Sequence, residues 1–216
     1  NKIILYPFIV INMIQNYKCS NYLKLLAACM ALIFFGCSTQ KDALLNRSYH
    51  QINTKYNGLF YAKEHLKEGV KKIEKLHLNN YSEILTINKL GTQKSAQSAK
   101  GSLDGAIEKA TLAIQKHSMD IDGQEKNKFI DSNYLIIGKA KFYKQEYAQA
   151  INTFSYILRK TNSIDFKIEA ILWATLSHNK LNNTEAVRNS INIMNDDYVL
   201  KDEDQSILYE IEAELA

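Results

Sequence analysis

The sequence predicts an all-α chain of antiparallel helix pairs stacked as a solenoid, and three observations predict it. One proline (Pro7) and eight glycines among 216 residues are too few turn-formers for a many-stranded β fold. Apolar residues recur three and four positions apart over long stretches, which is the period of one helix face. Between Asp131 and Leu200, small and aromatic residues repeat at about the 34-residue spacing of a helix-turn-helix unit. An apolar fraction of 46% suffices for one folded domain plus an accessory segment.

The accessory segment comes first. Residues 1–36 carry Lys2, Lys18 and Lys24 and no acid. Translation is read as starting at Met13, with residues 1–12 as read-through from an over-long gene; if translated, those twelve residues join the apolar run into a longer anchor. From Met13 a basic n-region leads into the apolar run Leu25–Gly36, about a dozen residues, where a bilayer span needs about 20. A cleaved secretory signal over residues 13–36 fits that length. It ends Phe34-Phe35-Gly36-Cys37-Ser38, and Gly36-Cys37 resembles the lipobox of bacterial lipoproteins, with Phe34 standing where an aliphatic residue is usual. The resemblance implies that Cys37 is acylated and becomes the N-terminus. All three cysteines (Cys19, Cys29, Cys37) fall in the first 37 residues, so nothing downstream offers an internal disulfide, a zinc cluster or a thiol active site.

Residues 37–47 are polar and read as a tether. A helical region with two polar loops is expected over 48–130. Ile52, Tyr56, Leu59 and Phe60, then Leu66, Val70, Ile73 and Leu76, mark the inward face of a helix or a close helix pair. Tyr81–Ile87 is a short apolar piece. Gly91–Gly105, rich in Ser, Gln, Lys and Gly, reads as a loop. Asp104 is placed as the cap of a helix whose face is Ala106, Ile107, Ala110 and Ile114. Ser118–Lys128 is polar again; Asp120, Asp122 and Gly123 share the composition of a calcium loop, but the spacing is wrong and the later Glu is missing.

Repeats are expected over 131–216. With Gly138 at the eighth position of a 34-residue unit, Tyr134, Ile137, Ala140, Tyr147, Ala150 and Phe154 fall where a tetratricopeptide repeat places its conserved types. Gly138 and Ala150 would let two helices cross closely while the aromatics fill the space between pairs. A second unit takes Ala170, Trp173, Ala174, Leu176, Ala186 and Ile193, with Asn183 in place of an aromatic. Asp202–Ala216 begins a further first helix. Its stripe Ile207, Leu208, Ile211 and Leu215 is read as lacking a partner helix, which implies that the natural protein continues.

Function classes follow partly by exclusion. Without residues 1–36 the chain has 24 Lys and Arg against 23 Asp and Glu, so no basic excess points to nucleic acid. His50, His65, His77, His117 and His178 are dispersed without metal-site spacing. No Gly-rich phosphate loop or nucleophile elbow is present. No catalysis, cofactor, metal or small-molecule substrate is expected. A protein-binding groove is, formed by the concave positions Ser132, Leu135, Lys139, Phe142 and Tyr143, with packing of Phe142 and Tyr143 against the next unit as the equal alternative.

Ordered along the chain are Cys37-Ser38, Asn46-Arg47-Ser48-Tyr49-His50, Thr54-Lys55-Tyr56-Asn57-Gly58 with Phe60, Glu68-Gly69, Ala106-Ile107-Glu108-Lys109-Ala110, Lys116-His117-Ser118-Met119, Tyr134-Leu135, Gly138-Lys139-Ala140-Lys141-Phe142-Tyr143 and Phe154-Ser155-Tyr156-Ile157-Leu158. Together they resemble the SprE/PorW-like tetratricopeptide lipoproteins of the type IX secretion and gliding-motility system, over roughly Cys37 to Trp173. The resemblance implies an outer-membrane lipoprotein facing the periplasm of Bacteroidota, a scaffold for secretion-system proteins with no catalytic residues. The repeats alone suit equally a helical-repeat lipoprotein that inserts barrel proteins. A glycan-binding surface lipoprotein would need an aromatic platform, and Trp173 is the single tryptophan.

Overall fold

Helix begins inside the stretch expected to be a tether. The computed structural model describes residues 38–78 and 91–215 together with Lys24 and Ser82. Cys37 lies outside the described residues, as do the signal at 13–36 and the apolar piece at 81–87 apart from those two positions. Helix α1 spans Leu44–Asn53, continues through a π-helical turn at Thr54–Leu59, and runs on as α2 over Phe60–Leu76. The π turn decides which side faces inward. Its extra residue gives the buried row His50, Thr54, Leu59, Ala62, Gly69 and Ile73 a five-residue step at Thr54–Leu59. The expected stripe is therefore split: Leu59 and Ile73 are buried, Leu66 and Val70 half-buried, and Ile52, Tyr56, Phe60 and Leu76 exposed.

The expected loop at Gly91–Gly105 is a correction: it belongs almost wholly to the longest described helix, α3, Gln93–His117. Thr92 caps it by accepting from the Ser95 N–H at 3.4 Å, while Asp104 sits mid-helix in an ion pair with Lys144 at 2.8 Å. The inward face of α3 is made of small residues, with Ala96, Ala99, Ser102, Leu103, Ala106, Ala110 and Ala113 buried. Small side chains carry little apolar signal, but they let backbones approach closely. A Cβ added at Gly58 would fall 2.3 Å from the Ala113 Cβ, and one at Gly69 2.6 Å from Leu103. A mid-helix glycine costs about 1 kcal/mol relative to alanine, and Gly58 and Gly69 offset that by letting α1 and α2 lie against α3.

The polar stretch after α3 folds as a minimal hairpin, with β1 Asp120–Ile121 antiparallel to β2 Gln124–Glu125. Asp122 and Gly123 turn it with φ of 53° and 76°, the left-handed pair that an Asp-Gly hairpin turn requires. Four helices of 14 to 17 residues follow: α4 Ile130–Tyr143, α5 Tyr147–Lys160, α6 Ile164–Lys180 and α7 Thr184–Asp197. Then comes α8, Asp202–Leu215, with Asp202, Glu203 and Asp204 in its first turn, where carboxylates favour the positive end of the helix. Helices α4 and α6 begin 34 residues apart, and both hairpins turn the same way. Gln145 and Asn182 take left-handed φ of 64° and 57°, and the next residue donates back five positions, Glu146 to Lys141 O and Asn183 to His178 O.

Thr39–Ala216 forms one compact unit with one cluster of buried apolar side chains running from Leu59 to Ile211. Neighbouring helices pack against each other throughout, giving an all-α helical-repeat fold of the tetratricopeptide type. Gly138 and Ala150 cross where the repeat register put them: Ala150 is fully buried, and a Cβ at Gly138 would lie 2.4 Å from the Phe154 ring. Other packing positions differ: Tyr134, Tyr147, Ala174 and Ala186 are only half-buried and Ile193 is exposed, while Val187 and Met194 are the buried residues of α7. The stripe read as lacking a partner is corrected as well, because Leu208 and Ile211 of α8 are buried where that helix packs on α6.

Candidate partner-binding site

The groove residues expected from the repeat register separate in the structure. Leu135, Phe142 and Tyr143 are buried; Ser132 and Lys139 remain half-buried. The aromatics are consumed in holding successive helices together. Phe142 meets Trp173 edge-on at 5.2 Å and 84°, Tyr143 lies 5.8 Å from the same ring, and Tyr147 of α5 packs on Phe142 at 5.4 Å. Edge-to-face contacts of this kind each add about 0.5–1.5 kcal/mol beyond area burial. Burial pushes the Tyr143 phenol up to about 12, helped by the nearby carboxylates of Glu74 on α2 and Glu210 on α8. Lys139 reaches across to pair with Glu169 and rests 4.8 Å from the Trp173 ring centre. Lys180 and Asn179 hold Glu214 in the same way, at 2.9 and 2.6 Å. The concave side is thus closed by an aromatic spine and laced with ion pairs between first helices. The apolar groove anticipated there is absent among the described residues.

Accessible aromatic surface lies elsewhere. Tyr134 of α4 and Tyr156 of α5 stack at 4.6 Å with rings inclined by 42°. Burial raises the Tyr134 hydroxyl well above the ordinary tyrosine range, and its hydrogen bond with Tyr156 adds to that. The pair stands between two cavities. One, of about 510 Å³, is walled by Ile107, Ile114 and Ile137 with Thr111 and Asn152 at its sides. The other, of about 310 Å³, is polar and includes Asp131, Lys128, Lys160 and Asn162. Both tyrosines line both cavities. A pair of large rings with polar tips between an apolar wall and a charged wall is the kind of surface on which interface anchors are found.

The hairpin forms one edge of the polar cavity and is held rigidly. Glu125 accepts from the backbone N–H groups of Met119 and Asn127, both at 2.8 Å, and from the Ser118 hydroxyl. Buried Asn127 donates to Thr54 Oγ1 at 2.7 Å and to the His117 carbonyl at 2.9 Å. Sequence reading missed a pair that this latch assembles: His50 Nδ1 and His117 Nδ1 lie 2.9 Å apart, with Tyr49 edge-on to both rings. Burial holds both imidazoles below their ordinary value, and the buried His50 Nε2 has no hydrogen-bond partner. Sixty-seven positions separate the two residues, so no spacing rule finds them. The Asp122-Gly123 dipeptide was the available signal for the hairpin. Asp120, Asp122 and Gly123 form its strand and turn, and among the described residues no three His, Cys, Asp or Glu side chains are grouped to hold a metal ion.

No protein-family model and no curated protein sequence matches the chain. Among the described residues no helix is long and apolar enough to cross a membrane.

Proposed function

We propose that this chain is a lipid-anchored binding scaffold of the outer membrane, facing the periplasm, which holds proteins of a type IX secretion and gliding-motility machinery by contact and not by catalysis. The observation that carries the binding role is the accessible Tyr134–Tyr156 pair between an apolar and a charged cavity. A partner segment laid across it would stack on the rings, bury an apolar side chain against Ile107 and Ile137, and meet Lys160 and Asp131 with its polar groups. Supporting the anchor are the apolar run ending in Gly36-Cys37 and the resemblance along the chain from Cys37 to Trp173. Helical repeats suit the role because each pair presents side chains along an extended surface.

The test has two readouts. Mass spectrometry of membrane-extracted protein should find Cys37 acylated at the mature N-terminus; an unmodified Cys37, or cleavage at another bond, overturns the anchor. In cells the Tyr134→Ala/Tyr156→Ala variant, folded by circular dichroism, should lose partner recovery and secretion. A hot-spot tyrosine is worth about 2 kcal/mol or more when truncated. Normal recovery from that variant rejects the cleft, and recovery of barrel-inserting proteins from the wild type replaces the secretion assignment.

A further inference from the structure

The continuous helix that runs from α1 through the π turn into α2 leaves a row of large apolar side chains at the surface. Leu45, Tyr49, Ile52, Tyr56 and Phe60 follow at helical spacings, and they are 81, 47, 56, 61 and 51% exposed. Fifteen residues at about 1.5 Å each make the row about 22 Å long. Its mixture of aliphatic and aromatic side chains is that of the apolar face of an interfacial helix.

Basic side chains lie beside it. Between Leu45 and Phe60 the chain carries Lys55 and Arg47, the latter paired with Asp42, and no acid. Lys55 lies 4.8 Å from the Tyr56 ring and 5.9 Å from Phe129, whose other neighbour is Lys128 at 5.3 Å. Gln51 of α1 donates to the Lys126 carbonyl, which brings a further lysine beside the helix. A surface of negative charge attracts lysines placed this close to it. Long lysine stems lie along apolar surface while their ammonium groups reach the headgroups.

The anchor supplies the geometry. Leu44 is seven residue steps from Cys37, and an extended chain spans at most about 3.6 Å per residue, so an acyl chain on Cys37 holds the start of α1 within about 25 Å of the bilayer. We propose that α1 and the π turn after it lie along the membrane interface, with the row from Leu45 to Phe60 seated in the headgroup region of an anionic phospholipid surface. This rests on the reading of Cys37 as the acylated terminus. Docking orients the solenoid, so that the Tyr134–Tyr156 cleft is presented at a set angle to the membrane.

The experiment uses residues 39–216, which form a compact unit with its own core and lack the acyl site. They are floated with vesicles of phosphatidylcholine alone or mixed with phosphatidylglycerol. Co-flotation with the mixed vesicles is expected, weakened by high salt, and at least about tenfold weaker for the Tyr56→Glu/Phe60→Glu variant. Both residues are exposed, so circular dichroism should show an unchanged fold. A fragment that stays at the bottom of the gradient, or a variant that floats as well as wild type, overturns the docking while leaving acylation of Cys37 to its own measurement. Flotation with Cys37 found unmodified in cells keeps the surface and removes the anchor. If the wild-type fragment does not float, yet the charged variant of the acylated protein loses a partner in cells, the row binds protein and the membrane proposal fails.

Discussion

Gly138 shows how much one missing methyl group can decide. The ring of Phe154 occupies the place where a Cβ would stand, so Gly138→Ala overpacks the α4–α5 crossing. The expected cost is about 1–3 kcal/mol, read from thermal melts, and an unchanged midpoint would contradict the crossing. Trp173 is the converse case. Its ring touches Phe142, Tyr143 and the Lys139 ammonium, and Trp173→Ala should cost about 3–5 kcal/mol. The histidines respond to pH instead. Burial lowers His50, His117 and His178 below their ordinary value, so the unfolded chain takes up protons first as pH falls. The stability they contribute is present above about pH 6.5 and is lost as pH drops through the lower folded values. Urea midpoints should therefore decline from pH 7.5 to pH 5.5, and His50→Gln/His117→Gln should flatten the decline. An equally steep decline in that variant would assign the effect to other groups.

Elements here are stabilised by neighbours more than by their own composition. The loop between α3 and α4 is ordered because Glu125 collects two backbone N–H groups and a hydroxyl. Glu125→Ala leaves those donors without their acceptor and should cost about 1–3 kcal/mol by chemical denaturation, whereas Glu125→Gln, which keeps an acceptor oxygen, should cost less. Equal losses would mean that the side chain matters by size alone. Helix α3 makes the same point. Its Ala and Ser face drives nothing in water and becomes a helix face only where Gly58 and Gly69 bring α1 and α2 close. Composition therefore reads Gly91–Gly105 as a loop, whereas packing makes it helix.

The buried cluster from Leu59 to Ile211 links the first helices to the last, and the Tyr143 ring stands between Glu74 of α2 and Glu210 of α8. Solenoids with weak interfaces can unfold piecewise; this continuity predicts one cooperative transition. The ellipticity of all the helices and the fluorescence of Trp173, the single tryptophan, should give coincident melting curves. A separate early step in ellipticity would show that α1–α3 unfold without the repeats.

What the sequence by itself determined is the all-α class, the two helix pairs from Ile130 to Asp197 and the crossing at Gly138 and Ala150, because those rest on local periodicity and on small residues whose role is to be approached. Tertiary structure alone decided which aromatics remain accessible. Phe142 and Tyr143 sit at positions that face a groove in an isolated repeat, but α2, α6 and α8 close over them, while Tyr134 and Tyr156 stay half-buried at a cleft. It also decided that Ile52, Tyr56 and Phe60 face outward, since one extra residue in a π turn rotates the helix against the count of 3.6. The His50–His117 pair and the Glu125 latch join residues far apart in the chain or bound through backbone groups, and side-chain spacing carries no record of either.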